Sequence, residues 1–353
     1  MARRVLGLSP AVWALLAAAP AALALDAAHA PPIVVFAACG LGIVPLAGLM
    51  GEATEALAAR SGPAVGGLLN ATFGNAAELI ITLFALRAGL IGLVKASLVG
   101  SVLGNLLVIL GFAIVAGSWR VPKVAFSATT AGASVGMMVL ALAGFAAPAL
   151  FGLAHPNPDP GTLLRLSDGV ALVLLATYGC SLLFTLKTHR TVLAPAATAG
   201  HHWSPRHAVA VLAVATGLVA WLSEVLVGVT TEASAALGLS QTFVGLILVP
   251  MIGNAAEHAT AVVVARKGQM DLAFQIAAGS SAQVALFVAP VLVGFGHVFG
   301  QRMDFAFSSF EMAALGLASF AVAVVALDGE STWFEGVQLV GLYGILGIAA
   351  FFI

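Results

Sequence analysis

Two short stretches carry the residues most able to do chemistry. They are Gly74-Asn75-Ala76-Ala77-Glu78 and Gly253-Asn254-Ala255-Ala256-Glu257, the same five residues set 179 positions apart. Asn75 and Glu78 are three residues apart, as are Asn254 and Glu257, so on a helix each pair shares one face. Both copies sit inside long apolar runs, where an ionised carboxylate costs about 2.5–3.5 kcal/mol at the centre of a membrane helix. An intramembrane acid marks an ion pathway or proton relay, and two acids in register point to one shared site. Amide and carboxylate oxygens form a hard donor set without Cys or His in both copies, which favours Ca²⁺ over Zn²⁺ or Cu⁺ and suits its irregular coordination by 6–8 oxygens. Gly74, Gly253 and Pro250 beside the acids permit broken helices whose freed carbonyls join the donor set. Thr72 extends the first face. Ser97, Gly100, Ser101, Gly104 and Asn105 follow the first copy, and Gly279, Ser280, Ser281 and Gln283 the second. His258 follows Glu257 with no counterpart after Glu78, and either bonds a carboxylate or packs.

The elements that hold these residues are membrane helices. The 353 residues are 61% hydrophobic and 8% charged, with a mean hydropathy of +1.08. Soluble domains carry about 25% charged residues, so this chain lacks the charge to cover a water-exposed surface. Apolar runs near 20 residues long predict helices rather than barrel strands. The fold expected is all-α, polytopic, with about eleven transmembrane helices. They lie near 7–26, 32–58, 63–86, 93–117, 123–148, 165–187, 207–237, 241–265, 271–298, 305–327 and 333–353. The first segment, after Arg3-Arg4, reads as a retained helix, with a cleaved signal peptide as the alternative.

With the N-terminus in the cytoplasm, ten Lys/Arg fall inside and four outside (Arg87, Lys95, Arg165 and Arg302), as the positive-inside rule requires. The 179-residue register runs ungapped from Gly74–Ser101 onto Gly253–Ser280, and Thr54-Glu55-Ala56 matches Thr231-Glu232-Ala233 with a two-residue slip. The loop after the first copy falls outside and that after the second inside, so the copies have opposite orientation. The expected units are an extra N-terminal helix (1–31), a five-helix repeat (32–188), a cytosolic linker (189–206) and a second, inverted five-helix repeat (207–353). Inverted repeats are the architecture of secondary transporters, with sites at the repeat interface near the bilayer midplane. The linker holds His189, Arg190, His201, His202 and Arg206 without an acid, and reads as a flexible connection. Cys39 and Cys180 read as core thiols.

Charge arithmetic gives a mechanism. Two ionised glutamates with Ca²⁺ sum to zero, and two protonated glutamates also sum to zero. The empty, doubly ionised site carries two charges in low dielectric and is costly. A carrier that turns only when neutral is an obligatory exchanger. No H-E-x-x-H pair and no recognisable Ser/His/Asp set supports an enzyme, and no basic stripe supports nucleic-acid binding.

The stretch GNAAELIITLFALRAGLIGLVKASLVGSVLGNLLVILG (74–111) resembles the first repeat signature of the Ca²⁺/H⁺ exchanger (CAX) family of the calcium/cation antiporter superfamily. LSQTFVGLILVPMIGNAAEHATAVVVARKGQMDLAFQIAAGSSAQVALFVAP (239–290) resembles the second. The resemblance implies two inverted five-helix repeats plus one extra helix. It implies that Glu78 and Glu257 bind the cation and exchange it for protons, with Asn75, Asn254, Ser101, Ser280 and Gln283 at polar positions beside them. Glu52, Glu55, Glu224 and Glu232 fall where the family places acidic entry or gating residues, and His258 joins them as a gating candidate. The basic, His-rich linker departs from the acidic stretch common in the family, and Gly104 stands where a serine is frequent. The activity implied is antiport of cytosolic Ca²⁺ against H⁺ across a prokaryotic cytoplasmic (inner) membrane, without a cofactor and with homo-oligomer formation left open. Na⁺/Ca²⁺, Na⁺/H⁺ or Mn²⁺/H⁺ exchange is the alternative.

Overall fold

The structure, a computed structural model, describes residues 15–155, 159–188 and 203–353. Its helices in chain order are α1 (Ala18–Ala27), α2 (Pro32–Ala58), α3 (Gly62–Phe73), α4 (Ala76–Arg87), α5 (Ile91–Ser118), α6 (Ala128–Ala154), α7 (Gly161–Thr188), α8 (Pro205–Leu237), α9 (Gln241–Gly253), α10 (Ala255–Arg266), α11 (Met270–Phe299), α12 (Ser309–Val325) and α13 (Trp333–Phe351). Seven of these, α2, α5, α6, α7, α8, α11 and α13, are long and apolar enough to cross a membrane, and the bent pair α9–α10 makes an eighth. This is a multi-pass membrane fold. Local chemistry sets many of the ends. Pro32 and Pro205 stand at the first helical turn, where a missing N–H costs nothing. Ser127, Ser204, Ser240 and Ser308 cap helix starts by accepting backbone N–H bonds. Left-handed Gly238 and Gly300 close α8 and α11.

Burial sorts the helices into a centre and a rim. The most apolar window of α5 is 83% buried and that of α11 is 72% buried, against 17% for α7 and 22% for α13. The rim helices turn Leu153, Leu172, Phe320 and Ile345 outward, as lipid-facing positions require. α2 and α8, of 27 and 33 residues, pack along each other. α1 lies against both.

The two expected spans that carry the acids are not continuous. The 63–86 run is broken at Gly74-Asn75 between α3 and α4, and the 241–265 run at Asn254 between α9 and α10, which meet at 59°. The two asparagines have nearly the same backbone, φ −104° and −103°. The turns after α4 and α10 also match, each with a left-handed glycine, Gly89 at φ +77° and Gly268 at φ +79°.

Two other boundaries differ from the sequence expectation. α6 starts at Ala128 rather than near 123, because Val124-Ala125 (β1) pairs antiparallel with Glu330-Ser331 (β2). That two-stranded ribbon is an exception to the all-α expectation, with Lys123 bridging to Glu330 and Phe126 stacked on Phe274. α12 starts at Ser309 rather than near 305, since residues 300–308 fold back and bury Met303, Phe305 and Phe307. Cys39 is buried, but Cys180 is exposed and not a core thiol. Much of the expected first helix, and His189, Arg190, His201 and His202 of the linker, lie outside the described residues.

Candidate functional site

The break in each span lets the asparagine turn away from its own helix and reach the other half of the chain. The Ser280 hydroxyl of α11 bonds Asn75 Oδ1 at 2.8 Å. Asn254 Nδ2 donates to the Ser101 hydroxyl of α5 at 3.1 Å. The 179-residue register carries one pair onto the other, so the two halves grip each other reciprocally at one depth. Asn75, Asn254, Ser101 and Ser280 are all buried.

One acid joins these bonds directly. Ser280 Oγ lies 2.7 Å from Glu257 Oε2, and both Glu78 oxygens are buried with no hydrogen-bond partner among the described residues. Glu78 is 2% exposed, while Glu257 is only partly buried. Gly253 leaves room beside Glu78, where a Cβ would stand 3.6 Å from the Glu78 Cα. On the other side Asn75 Nδ2 donates to Gln283 Oε1 at 2.7 Å. Gln283 has no twin, since the register puts Gly104 in its place.

Four of the seven residues expected around the cation, Gln283, Asn75, Ser280 and Glu257, form one hydrogen-bonded chain, Asn254 and Ser101 form a second pair, and Glu78 lies against Gly253. Ser280 and Gln283 stand on a single α-helical turn of α11 flanked by π-helical turns at Gln275–Gly279 and Val284–Val288. A further π-helical turn, Gly104–Ile109, follows Ser101 on α5. Such turns disturb the regular carbonyl ladder and recur at functional sites. Among the described residues no three His, Cys, Asp or Glu side chains gather as a metal cluster. The donors here are two carboxylates with amides and hydroxyls, as expected for a hard cation.

Glu224 and Glu232 are exposed on α8, and Glu52 and Glu55 lie on the adjacent α2. His258 is partly buried with Nε2 unbonded, so the expected bond to a carboxylate is not made through that nitrogen. Thr72 turns its hydroxyl to the Leu68 carbonyl at 2.8 Å. Asn105 is one of the polar residues that follow the first copy. Its carboxamide is fully buried and unpartnered among the described residues, as is the Ser97 hydroxyl. With Ser101 these form a column at four-residue spacing on α5, a periodicity already visible in the sequence.

The model of the family described as sodium/calcium exchanger protein matches residues 31–187 and 207–352. The chain belongs to that family. It is 41% identical over 341 residues to a Ca²⁺/H⁺ antiporter of Aphanothece halophytica, covering 92% of this chain and 91% of that one. It is 42% identical over 330 residues to the Ca²⁺/H⁺ antiporter ChaA of Bacillus subtilis, covering 92% and 93%. The solved structure of native YfkE superposes with a TM-score of 0.86 at 38% identity, covering 97% of this exchanger-family chain and all of that one. An H⁺/Ca²⁺ exchanger CAX structure shares the fold with a TM-score of 0.74 at 14% identity, covering 97% and 91%. The family and its relatives are transporters, and the CAX resemblance of the two signature stretches holds.

Proposed function

We propose that this protein is a secondary antiporter that exchanges cytosolic Ca²⁺ for H⁺ by alternating access, with Glu78 and Glu257 as shared Ca²⁺ and proton sites. The observation that supports the reading is the reciprocal pairing of Asn75 with Ser280 and of Asn254 with Ser101, with Glu257 bonded to Ser280 and the buried Glu78 against Gly253 of the other copy. The names of the relatives support Ca²⁺ and H⁺ as the exchanged ions. Counting α3–α4 and α9–α10 as one broken span each, with α1 and α12 as short spans, brings the total to eleven. The first belongs to unit 1–31, and two inverted sets of five occupy 32–188 and 207–353, joined by 189–206. The Lys/Arg distribution supports a cytoplasmic N-terminus.

The hydrogen bonds suggest where protons reside without Ca²⁺. A serine hydroxyl has one proton to donate. Asn75 directs its Nδ2 to Gln283, so its Oδ1 faces Ser280 and takes that serine's proton. The contact from Ser280 to Glu257 is then satisfied when the Glu257 carboxyl itself donates. Asn254 donates to Ser101, which leaves the Ser101 proton available to Glu78. Arriving Ca²⁺ displaces the protons of both carboxyls and draws both carboxylates, the two asparagine oxygens, Ser101, Ser280 and Gln283 toward itself. The loaded site is neutral, as is the doubly protonated one, and either state turns over. No enzyme chemistry, cofactor or nucleic-acid contact enters this cycle.

The test is reconstitution of the wild type, Glu78→Gln and Glu257→Gln in vesicles with an imposed pH gradient. Both variants lose ΔpH-driven ⁴⁵Ca uptake. Undiminished uptake by both refutes the assignment. The family description itself favours a second reading, Na⁺-coupled exchange. Uptake driven by a Na⁺ gradient with no pH gradient identifies it.

A further inference from the structure

Three elements meet at one end of the fold. A Cβ on Gly117, near the end of α5, would stand 3.3 Å from the Ala265 carbonyl oxygen and 3.6 Å from Val124 Cγ1, and one on Gly336 would stand 2.8 Å from Val115 Cγ2. The last turn of α5 thus lies against the last turn of α10, the first turn of α13 and the β1–β2 ribbon. Just past these contacts the chain sets out three exposed cations, Arg120 after α5 and Arg266 and Lys267 at the end of α10. None of the three makes an ion pair among the described residues. Every Asp and Glu of the chain lies among those residues, so the chain holds no further acid to pair with them. The acids at this end are turned to other partners. Glu330 bridges to Lys123, Asp271 accepts the Ser127 N–H at 2.6 Å, and Glu335 accepts the Thr332 N–H at 2.7 Å.

Beside the cations stands aromatic surface suited to a membrane–water boundary. Trp119 and Trp333 meet edge to face with ring centroids 5.9 Å apart, and they are 66% and 45% exposed. Phe334 packs against Trp333 at 5.9 Å. Tryptophan concentrates at that boundary, where its ring has one apolar and one wet side. The equivalent corner of the other half lacks this combination. Carried on to the end of α11, the 179-residue register puts Val298 and Phe299 at the places of Trp119 and Arg120. Of the three cations only Arg266 has a basic counterpart, Arg87. A partner that satisfies unpaired cations and exposed indoles side by side has an anionic head and apolar tails, and clustered Lys/Arg at a membrane surface recruit such lipids. We propose that the corner formed by the ends of α5 and α10 and the start of α13 binds an anionic phospholipid, its phosphate held by Arg120, Arg266 and Lys267 and its tails against Trp119 and Trp333. On the Lys/Arg count this corner lies in the cytoplasmic leaflet. Because α5 carries Ser101 and α10 carries Glu257, a lipid that bridges their ends fastens together two helices of the candidate site. The proposal does not depend on which ion is carried.

The test is tryptophan fluorescence of the full-length protein in phosphatidylcholine vesicles that contain a minor share of brominated phosphatidylglycerol or of brominated phosphatidylcholine. Each Lys or Arg near the surface favours an anionic lipid by about fivefold. The wild type therefore selects phosphatidylglycerol by roughly tenfold or more at low salt, and the preference shrinks as salt screens it. Arg120→Gln/Arg266→Gln/Lys267→Gln lowers the preference to about twofold or less. Trp119→Phe/Trp333→Phe abolishes the extra quenching by the anionic lipid, which places the lipid at this corner. Phosphatidylglycerol also raises the melting temperature of the wild type in detergent above that seen with phosphatidylcholine, and inorganic phosphate does not. Equal quenching by the two lipids, an undiminished preference in the folded triple variant, or extra quenching that survives loss of the two tryptophans overturns the proposal. Equal stabilisation by inorganic phosphate overturns it in favour of a free-anion site. Should the triple variant fail to fold, Arg120→Gln and Lys267→Gln decide singly, each lowering the preference severalfold if the proposal holds and leaving it unchanged if it does not. Quenching needs no ion flux, so the result is independent of the antiport reading.

Discussion

The two site serines occupy equivalent places in the chain but unequal ones in the structure, and this inequality is measurable. Ser280 bridges Glu257 at 2.7 Å and Asn75 at 2.8 Å. Ser101 accepts one bond of 3.1 Å from Asn254 and makes none to Glu78 with hydrogen-bond geometry. An ordinary hydrogen bond contributes about 0.5–1.5 kcal/mol, and Ser280 makes two such contacts where Ser101 makes one. Ser280→Ala strands the buried Asn75 Oδ1 and the Glu257 carboxyl, whereas Ser101→Ala strands one amide N–H. At 1.4 kcal/mol per factor of ten, Ser280→Ala weakens Ca²⁺ affinity by roughly 10- to 100-fold and Ser101→Ala by roughly 2- to 10-fold. Equilibrium ⁴⁵Ca binding to detergent-purified protein, which stays in its resting conformation without a gradient, reads this directly. Thermal melting confirms that both variants are folded. Equal losses, or a larger loss from Ser101→Ala, refute the asymmetric hydrogen-bond pattern.

Other outcomes follow from the same geometry. Adding Ca²⁺ to weakly buffered protein releases protons, seen as a fall in pH, and Glu257→Gln reduces the release, because Glu257 holds the proton when Ser280 donates to Asn75. Asn105→Leu leaves the apo protein as stable or more stable, since it removes a buried amide with no partner. The same variant slows ΔpH-driven uptake if the amide meets ion or water during the cycle, and unchanged flux marks Asn105 as inert. Lys95 donates to Asp304 at 2.5 Å and to the Ala306 carbonyl at 3.0 Å, both partly buried. Lys95→Met therefore destabilises by about 1.5–3 kcal/mol, read as a lower melting temperature, and Lys95→Met/Asp304→Asn recovers part of that loss by removing the stranded carboxylate.

Hydropathy made the spans legible because a bilayer demands about 20 apolar residues per crossing. The 32–58 expectation coincides with α2. The candidate site stands out in the sequence because the same five residues occur twice, and the cost of two acids inside apolar spans leaves few other reasons for them. What stayed hidden depends on contacts distant in sequence. Val124-Ala125 is apolar enough to merge with the following span, and only its pairing with Glu330-Ser331, some 200 residues later, turns it into a strand. Residues 305–308 read as a helix start, but Lys95 and the Ser167 hydroxyl, which accepts the Phe305 N–H at 2.9 Å, hold them in a folded-back loop. Gln283 has no twin in the register, so the sequence puts it on the helix after the second copy without showing its bond to Asn75. Asn105 stands among the polar residues after the first copy, but a sequence does not reveal which buried amides find partners.

Helix α8 has 33 residues, about 50 Å at 1.5 Å per residue, against a hydrocarbon layer of about 30 Å. Such an overlong rod must tilt, overhang or thicken the lipid around it, each at a cost that grows with the mismatch. Packed along its full partner α2, it couples any rocking of one half of the protein to the lipid shell. Acyl-chain length is thus a variable of the transport cycle, and turnover in thin and thick bilayers should differ even where every ion ligand is untouched.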